Sequence, residues 1–209
     1  AGSWGTALAL QAARLNRPTI LTGRDYQKLQ ILQSDRQNKA YLPGFAFPPS
    51  LHIDTHLNSA IERCEHVVVS VPSHAFRSTL LLLKPLLKPQ HQLYWATKGF
   101  ELDTGILPHQ IAQFVLGDRP LAVLSGPTFA RELAAELPTA ITCASTDLIF
   151  AQQIVSRLST PLFRIYTTND VLGVEIGGAV KNVIAIAAGI ADGMGLGANS
   201  RVALITRGL

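Results

Sequence analysis

The sequence predicts a doubly wound α/β fold, a parallel sheet with helices on both faces, followed by the start of an all-helical region. Three observations predict it. Short apolar runs of strand length alternate with helix-period segments up to about residue 169, and that alternation builds parallel sheets. After Asn169-Asp170 no strand-like run remains, and two helical segments follow. The composition, 47% hydrophobic and 15% charged, supplies ample apolar surface to bury and excludes a disordered chain. The division is therefore into residues 1–169, an α/β domain, and residues 170–209, the beginning of a helical domain.

The elements follow in order. Residues 3–15, rich in Ala and Leu, read as a helix, 18–23 (PTILTG) as a short buried strand and 25–34 as a helix. The clearest strand is 66–71 (HVVVSV), β-branched and ended by Pro72, with a helix after it at 74–83. Strands at 92–97 and 121–125 are separated by a helix at 106–116. A helix over 127–135, a strand at 139–144, a helix at 147–158 and a strand at 163–167 complete the α/β part. Residues 171–191 read as one long helix, apolar on most sides and hence expected to be buried. A glycine-rich break at 192–197 precedes a second helix from Asn199.

Charge and cysteine content narrow the function. Lys and Arg number 18 against 14 Asp and Glu, a net charge of +4. The basic residues are scattered, so no nucleic-acid partner is expected, while the positive excess suits anionic small molecules such as phosphates. Cys64 and Cys143 lie in no metal-ligand or CxxC spacing and read as small hydrophobes in a reducing compartment, with no metal expected. The longest uninterrupted apolar run in the last quarter, 183–191, is far short of the roughly 20 residues a bilayer requires, so no membrane insertion is expected. The opening residues carry no basic stretch of the kind a signal peptide has. The low charged share leaves apolar surface for a further domain or a second subunit.

Three clusters carry candidate chemistry. The chain opens AGSWG directly before a helix. With one more glycine ahead of Ala1 this would complete a dinucleotide fingerprint, Gly2 letting the backbone approach a pyrophosphate and Gly5 letting the helix pack on the sheet. Arg24 lies 19 residues after Gly5, just past a strand, where an Arg accommodates a ribose 2′-phosphate. Asp25 beside it would instead favour the free 2′-hydroxyl, and an ordinary surface Arg is the third reading. The second cluster is Lys98-Gly99 at the carboxyl end of a strand, where doubly wound folds hold ligands. It reads as an anion site or as a solvated loop lysine. Next comes Ser125-Gly126-Pro127-Thr128, at the following strand end, where the Thr128 amide and hydroxyl either donate to a ligand or only cap a helix.

Lys181 most needs explanation, because it stands in the most apolar helix, with Gly177 and Gly178 one turn earlier clearing a space. A buried lysine is costly unless paired or functional, and such lysines serve proton transfer. The alternative is a side chain snorkelling to the helix edge. Asp192, three turns on, is too far to partner it and reads as a turn or cap residue.

Together these segments resemble the bacterial NAD(P)-dependent sn-glycerol-3-phosphate dehydrogenase family. SWGTALA, VPSHAFR, ATKGFE, SGPTFARELA and GAVKNVIAIAAGIADGMGLGAN (178–199) match its motifs in order and spacing. The resemblance implies a Rossmann-type domain, a helical domain and an active site between them. It implies interconversion of dihydroxyacetone phosphate and sn-glycerol 3-phosphate with NADP(H) or NAD(H), for phospholipid synthesis in the cytoplasm, by a homodimer. Ser3, Trp4, Arg24, Lys98 and Ala130 would touch the cofactor. Lys98, Gly126, Thr128 and Lys181 would touch the substrate, with Asn182 helping to orient it and Lys181 acting as the catalytic proton acceptor.

Two other classes share parts of the pattern. A β-hydroxyacid or 6-phosphogluconate dehydrogenase would have the fingerprint and a catalytic lysine but lack SGPTFA and the 178–199 signature. A non-enzymatic dinucleotide-binding chain is the second. The first fingerprint glycine, its strand and the stretch in which the family holds the substrate phosphate are not found, so the chain reads as part of a longer protein. The strands at 18–23 and 66–71 are then expected to flank a missing central strand. Ser200-Arg201 falls in the wrong place to substitute for the phosphate-binding stretch.

Overall fold

The computed structural model describes residues 1–208. Helix α1 (Ser3–Arg14) buries Ala7, Leu10 and Ala13 on one stripe. Strands β1 (Thr19–Leu21) and β2 (Leu51–Ile53) form a small parallel sheet, with α2 (Tyr26–Asp35) between them in sequence. Then come α3 (Leu57–Glu62), β3 (His66–Val69), α4 (Phe76–Leu83), β4 (Gln92–Trp95), α5 (Pro108–Leu116) and β5 (Leu121–Ser125). Helix α6 (Ala130–Ala134), β6 (Thr139–Ala144), α7 (Leu148–Leu158) and β7 (Phe163–Thr168) close the α/β part. The second sheet has the order β3-β4-β5-β6-β7. Helices α8 (Val171–Gly193) and α9 (Gly197–Gly208) follow.

Local chemistry explains the helix starts. Asp25, Asp147 and Asp170 cap α2, α7 and α8, accepting from the amides of Lys28 at 3.1 Å, Phe150 at 3.0 Å and Gly173 at 2.8 Å. Pro108 occupies the first position of α5, where its missing N–H costs no hydrogen bond. Alternate residues of the central strands enter different cores. Tyr94 and Leu124 face a cluster with Leu10 of α1 and Phe163, whereas Leu93, Trp95 and Val123 face Phe76, Leu80 and Ile111 of α4 and α5.

The structure departs from the sequence-based expectation in four places. The sheet is not wholly parallel, because β5 and β6 run antiparallel, with Leu124 opposite Cys143. Helix α6 is only five residues, about 7.5 Å long against roughly 17 Å for a five-residue strand. It cannot carry the chain back across the sheet as a parallel crossover must. Second, α6 starts at Ala130 rather than at Pro127, since Phe129 is extended and is the N-cap. Third, β2 and α3 lie in a stretch with no strong period.

The fourth departure is α8. Of its residues only Glu175 and Ala191 are buried, while Val183, Ile186 and Ile190 are 66%, 64% and 58% exposed. Val171 and Val174 pack on the second core cluster, but the later turns lean chiefly on α9, which buries no residue. By length and composition α8 is also apolar enough to cross a membrane, with a mean hydropathy of 1.6 in its best window. Glu175 and Lys181 interrupt its apolar run.

β1 does not pair with β3, so each leaves one edge free in its own sheet. The N-terminus of α1 lies at the carboxyl ends of both. The Ala1 amino group donates to the Thr22 carbonyl at 3.4 Å. A Cβ on Gly5 would lie 3.4 Å from Ser70 Cβ, so this glycine permits the close helix–strand approach.

Candidate active site

Two groups of residues meet along the carboxyl edge of the sheets. The first is the N-terminus of α1. Gly2 is its N-cap, with no side-chain cap, no acid in the first turn, and open space where a Cβ would stand. The first helical amides have no intrahelical acceptor, and the intrahelical bonds begin with Thr6 N–H to the Gly2 carbonyl at 3.0 Å. Buried Asn38 braces this end, donating to Thr6 Oγ1 at 2.8 Å. The Trp4 indole N–H is buried without a partner. Arg24 is exposed just beyond β1 and forms no ion pair among the described residues. Asp25 caps α2 and pairs with Lys28 at 3.5 Å.

The edge continues from Gly5 through Ser70 and Val71 to Thr97, whose hydroxyl donates to the Val71 carbonyl at 2.8 Å. Beside Thr97 stands Lys98. Its Nζ donates to the Gly126 carbonyl at 2.8 Å, so it is anchored rather than solvated. Burial first, and the Lys181 ammonium second, lower the Lys98 pKa to about 8. Lys181 therefore lies near enough for its charge to act on Lys98, although one lysine is in the α/β domain and the other on α8.

Two glycines allow close packing around this place, Gly178 toward Lys98 and Gly126 toward β6. A Cβ on Gly178 would lie 2.7 Å from Ser125 Oγ and 3.7 Å from Lys98 Cγ. A Cβ on Gly126 would lie 3.0 Å from the Ile141 Cα and 3.1 Å from the Ala140 carbonyl oxygen. Gly177, also expected to clear space, has nothing within 4 Å of such a Cβ and clears none.

The remaining predicted residues divide. The Thr128 amide donates to the Gly126 carbonyl at 3.0 Å and is not free for a ligand, whereas its hydroxyl is buried and unpartnered. Ser3 is exposed at the start of α1. Ala130 is half-buried against the first core cluster. Asn182 is exposed, one position further round α8, and makes no side-chain hydrogen bond among the described residues. Asp192 pairs with Arg201, with one N–H···O contact at 2.9 Å, so both lie apart from Lys181. No cluster of three or more His, Cys, Asp or Glu able to hold a metal forms among the described residues.

Comparison with known proteins decides the family. Residues 1–151 match the family model described as NAD-dependent glycerol-3-phosphate dehydrogenase N-terminus, and residues 170–209 match the corresponding C-terminus. The chain belongs to the NAD-dependent glycerol-3-phosphate dehydrogenase family. Glycerol-3-phosphate dehydrogenase [NAD(P)+] of Actinobacillus pleuropneumoniae is 53% identical over the whole chain, and that of Escherichia coli 52%. The chain spans 62–63% of the length of these curated relatives. A crystal structure of the Coxiella burnetii glycerol-3-phosphate dehydrogenase superposes with a TM-score of 0.94 at 41% identity, covering all of this chain and 64% of that one. The family shares the Rossmann-like domain and following helical region seen here.

Sequence reasoning missed the residues that seat α8. Glu175 is 2% exposed at its side chain and accepts from Trp95 Nε1 at 3.0 Å and from His109 Nδ1 at 2.6 Å. The signal was present, since Glu175 is the other charged residue within the apolar stretch that drew attention to Lys181.

Proposed function

We propose that the protein interconverts dihydroxyacetone phosphate and sn-glycerol 3-phosphate with NADP(H) or NAD(H), as a cytoplasmic homodimer serving glycerophospholipid synthesis. The observation that carries this reading is the pair Lys98–Lys181. Two partly buried cations from two domains stand near one another, and one of them, Lys98, is anchored on the carbonyl of Gly126, two residues before the unpartnered Thr128 hydroxyl. Such a cluster attracts an anion bearing further polar groups. The domains divide near residue 169, between β7 and α8, and the reacting groups lie at that division.

The free amides of α1 and the open space over Gly2 fit a pyrophosphate, with Gly2, Ser3, Trp4 and Gly5 as its contacts. The unpaired Arg24 fits a ribose 2′-phosphate, favouring NADP(H). Lys98 and Ala130 complete the cofactor contacts. When bound, the nicotinamide supplies or accepts the hydride at C2 of the three-carbon phosphate. In reduction, Lys181 as ammonium donates its proton to the oxygen developing on C2, leaving a neutral amine. In oxidation, neutral Lys181 takes the proton of the C2 hydroxyl. Lys98, Gly126 and Thr128 hold the substrate, and Asn182 orients it from the neighbouring position.

Product analysis tests the reading. The complete natural protein, given dihydroxyacetone phosphate and NADPH, is expected to form sn-glycerol 3-phosphate and NADP⁺ in equal amounts, and to leave 3-hydroxy acids and 6-phosphogluconate untouched. Oxidation of either of those, or binding of NADPH without turnover, would replace the reading with one of its two alternatives.

A further inference from the structure

Glu175 ties the strand before Lys98 to the helix that bears Lys181. It lies six residues before Lys181 on α8, and its carboxylate is 2% exposed. Trp95 Nε1–H of β4 donates to it at 3.0 Å. At the first turn of α5, the His109 amide donates to its two oxygens at 3.1 and 3.3 Å, and His109 Nδ1 lies 2.6 Å from it. Trp95 is 1% exposed and stands three residues before Lys98. The carboxylate therefore joins the strand that leads to Lys98 to the helix that carries Lys181.

A carboxylate at this depth is costly unless its oxygens are satisfied. Burial drives its pKa upward, and the His109 and Trp95 contacts oppose that shift. No other titratable group touches it among the described residues. A mere packing residue at this position would be aliphatic, like Val171 and Val174 on the same seam. The direction of the donors also matters. Successive helix residues are about 100° apart, so Gly178 lies between Glu175 and Lys181 around the helix. Fixing Glu175 on its three donors fixes the rotation of α8, sets Gly178 over Ser125 and brings Lys181 to Lys98 at the rim.

We propose that Glu175 is a positioning residue, which by clasping Trp95 and His109 holds α8 in the rotation that places Lys181 beside Lys98. This rests on the reading that the two lysines act on the substrate.

The test uses the complete natural protein and the variants Glu175→Leu, Glu175→Gln and His109→Ala. Two readouts are taken: kcat and KM with dihydroxyacetone phosphate and NADPH, and the acetylation rate of the Lys98 ε-amine against pH, followed by mass spectrometry. In the unmodified protein the Lys98 midpoint is expected near 8. In Glu175→Leu the midpoint should rise by about one pH unit as Lys181 and its helix move away, and kcat should fall at least about tenfold with the NADPH KM unchanged within about twofold. Glu175→Gln keeps an acceptor oxygen for Trp95 and should recover most of both. His109→Ala should shift both readouts in the direction of Leu, and decides the matter alone if the Leu variant does not fold. Midpoint and kcat unchanged in Glu175→Leu and His109→Ala would overturn the proposal. So would a fall in kcat that Gln does not rescue with Lys98 unmoved, which is general loss of packing. If the unmodified protein does not turn over the substrate, the functional reading fails, while Lys98 reactivity still judges the clasp.

Discussion

Arg24 stands alone at the end of β1, because Asp25, the residue that could have answered for it, caps α2. At this place a guanidinium favours a 2′-phosphate, and a charge-assisted contact contributes roughly 1.5–3 kcal/mol. Arg24→Asp is therefore expected to shift the ratio of specificity constants from NADPH toward NADH by more than about tenfold. Steady-state kinetics with both cofactors measures it, and an unchanged ratio would show that Arg24 does not read the ribose. In the sequence Asp25 competed with Arg24 as the ribose reader, and its role as the cap of α2 appears only in the structure. Lys181 was legible because a charge inside an apolar helix demands a reason. Lys98 was legible only as one of two readings, an anion site or a solvated loop lysine. Its anchor on Gly126 and its neighbour Lys181 are 28 and 83 positions away in sequence.

Among the elements, α8 approaches β5 most closely at Gly178. Gly178→Ala would place a methyl 2.7 Å from Ser125 Oγ, and overpacking of this kind costs about 1–3 kcal/mol. The variant is expected to lower the unfolding midpoint and turnover together, and Ser125→Gly in the same chain should restore much of both. Thermal melts and kinetics of the two single variants and the double variant check this, and strictly additive effects would deny the contact. A second element-level device is the ion pair of Arg77 on α4 with Glu101 in the loop after Lys98, with both N–H···O distances at 2.7 Å. Arg77, with Thr104 assisting, lowers the Glu101 pKa from 4.5 to about 2. A depressed carboxylate contributes stability that is complete above its unfolded pKa and is lost as pH falls through the folded value. The Tm advantage of the unmodified protein over Arg77→Gln is thus expected to hold at pH 6 and to shrink between pH 4.5 and 2. An advantage independent of pH would assign Arg77 to its stacking on Phe114 instead. Elements with β-branched runs or Asp caps were legible from the sequence, with ends misplaced by a few residues. The antiparallel β6 was not, because strand direction depends on the reach of α6, and residues 126–135 look helical until Phe129 is seen to be extended.

For the whole molecule, the described residues 1–208 expose the later turns of α8, much of α9 and one free edge each of β1 and β3. Free strand edges and contiguous apolar surface both promote association. This chain alone is expected to self-associate at micromolar concentration, and light scattering that shows a stable monomer with a cooperative melt would mean that these surfaces are covered in a way the structure does not show. The two-domain plan was legible from the change of pattern at residue 169. Apolar faces left exposed on the helices from Val171 onward were expected too, since periodicity states that such a face needs cover, and Val183, Ile186 and Ile190 are indeed exposed.

In the proposed function Lys181, brought from α8 to Lys98, moves the proton in a nicotinamide-dependent reduction of dihydroxyacetone phosphate. The initial rate of NADPH oxidation by the complete natural protein and by its Lys181→Ala variant, with NADPH affinity measured in parallel by fluorescence, tests it most directly. Loss of a general acid typically costs about 10²–10⁴-fold, so a fall of that size in kcat is expected, with NADPH affinity kept within about fourfold because α1 and Arg24 are untouched. A variant that turns over at near the unmodified rate, or loses NADPH binding along with turnover, would contradict the account.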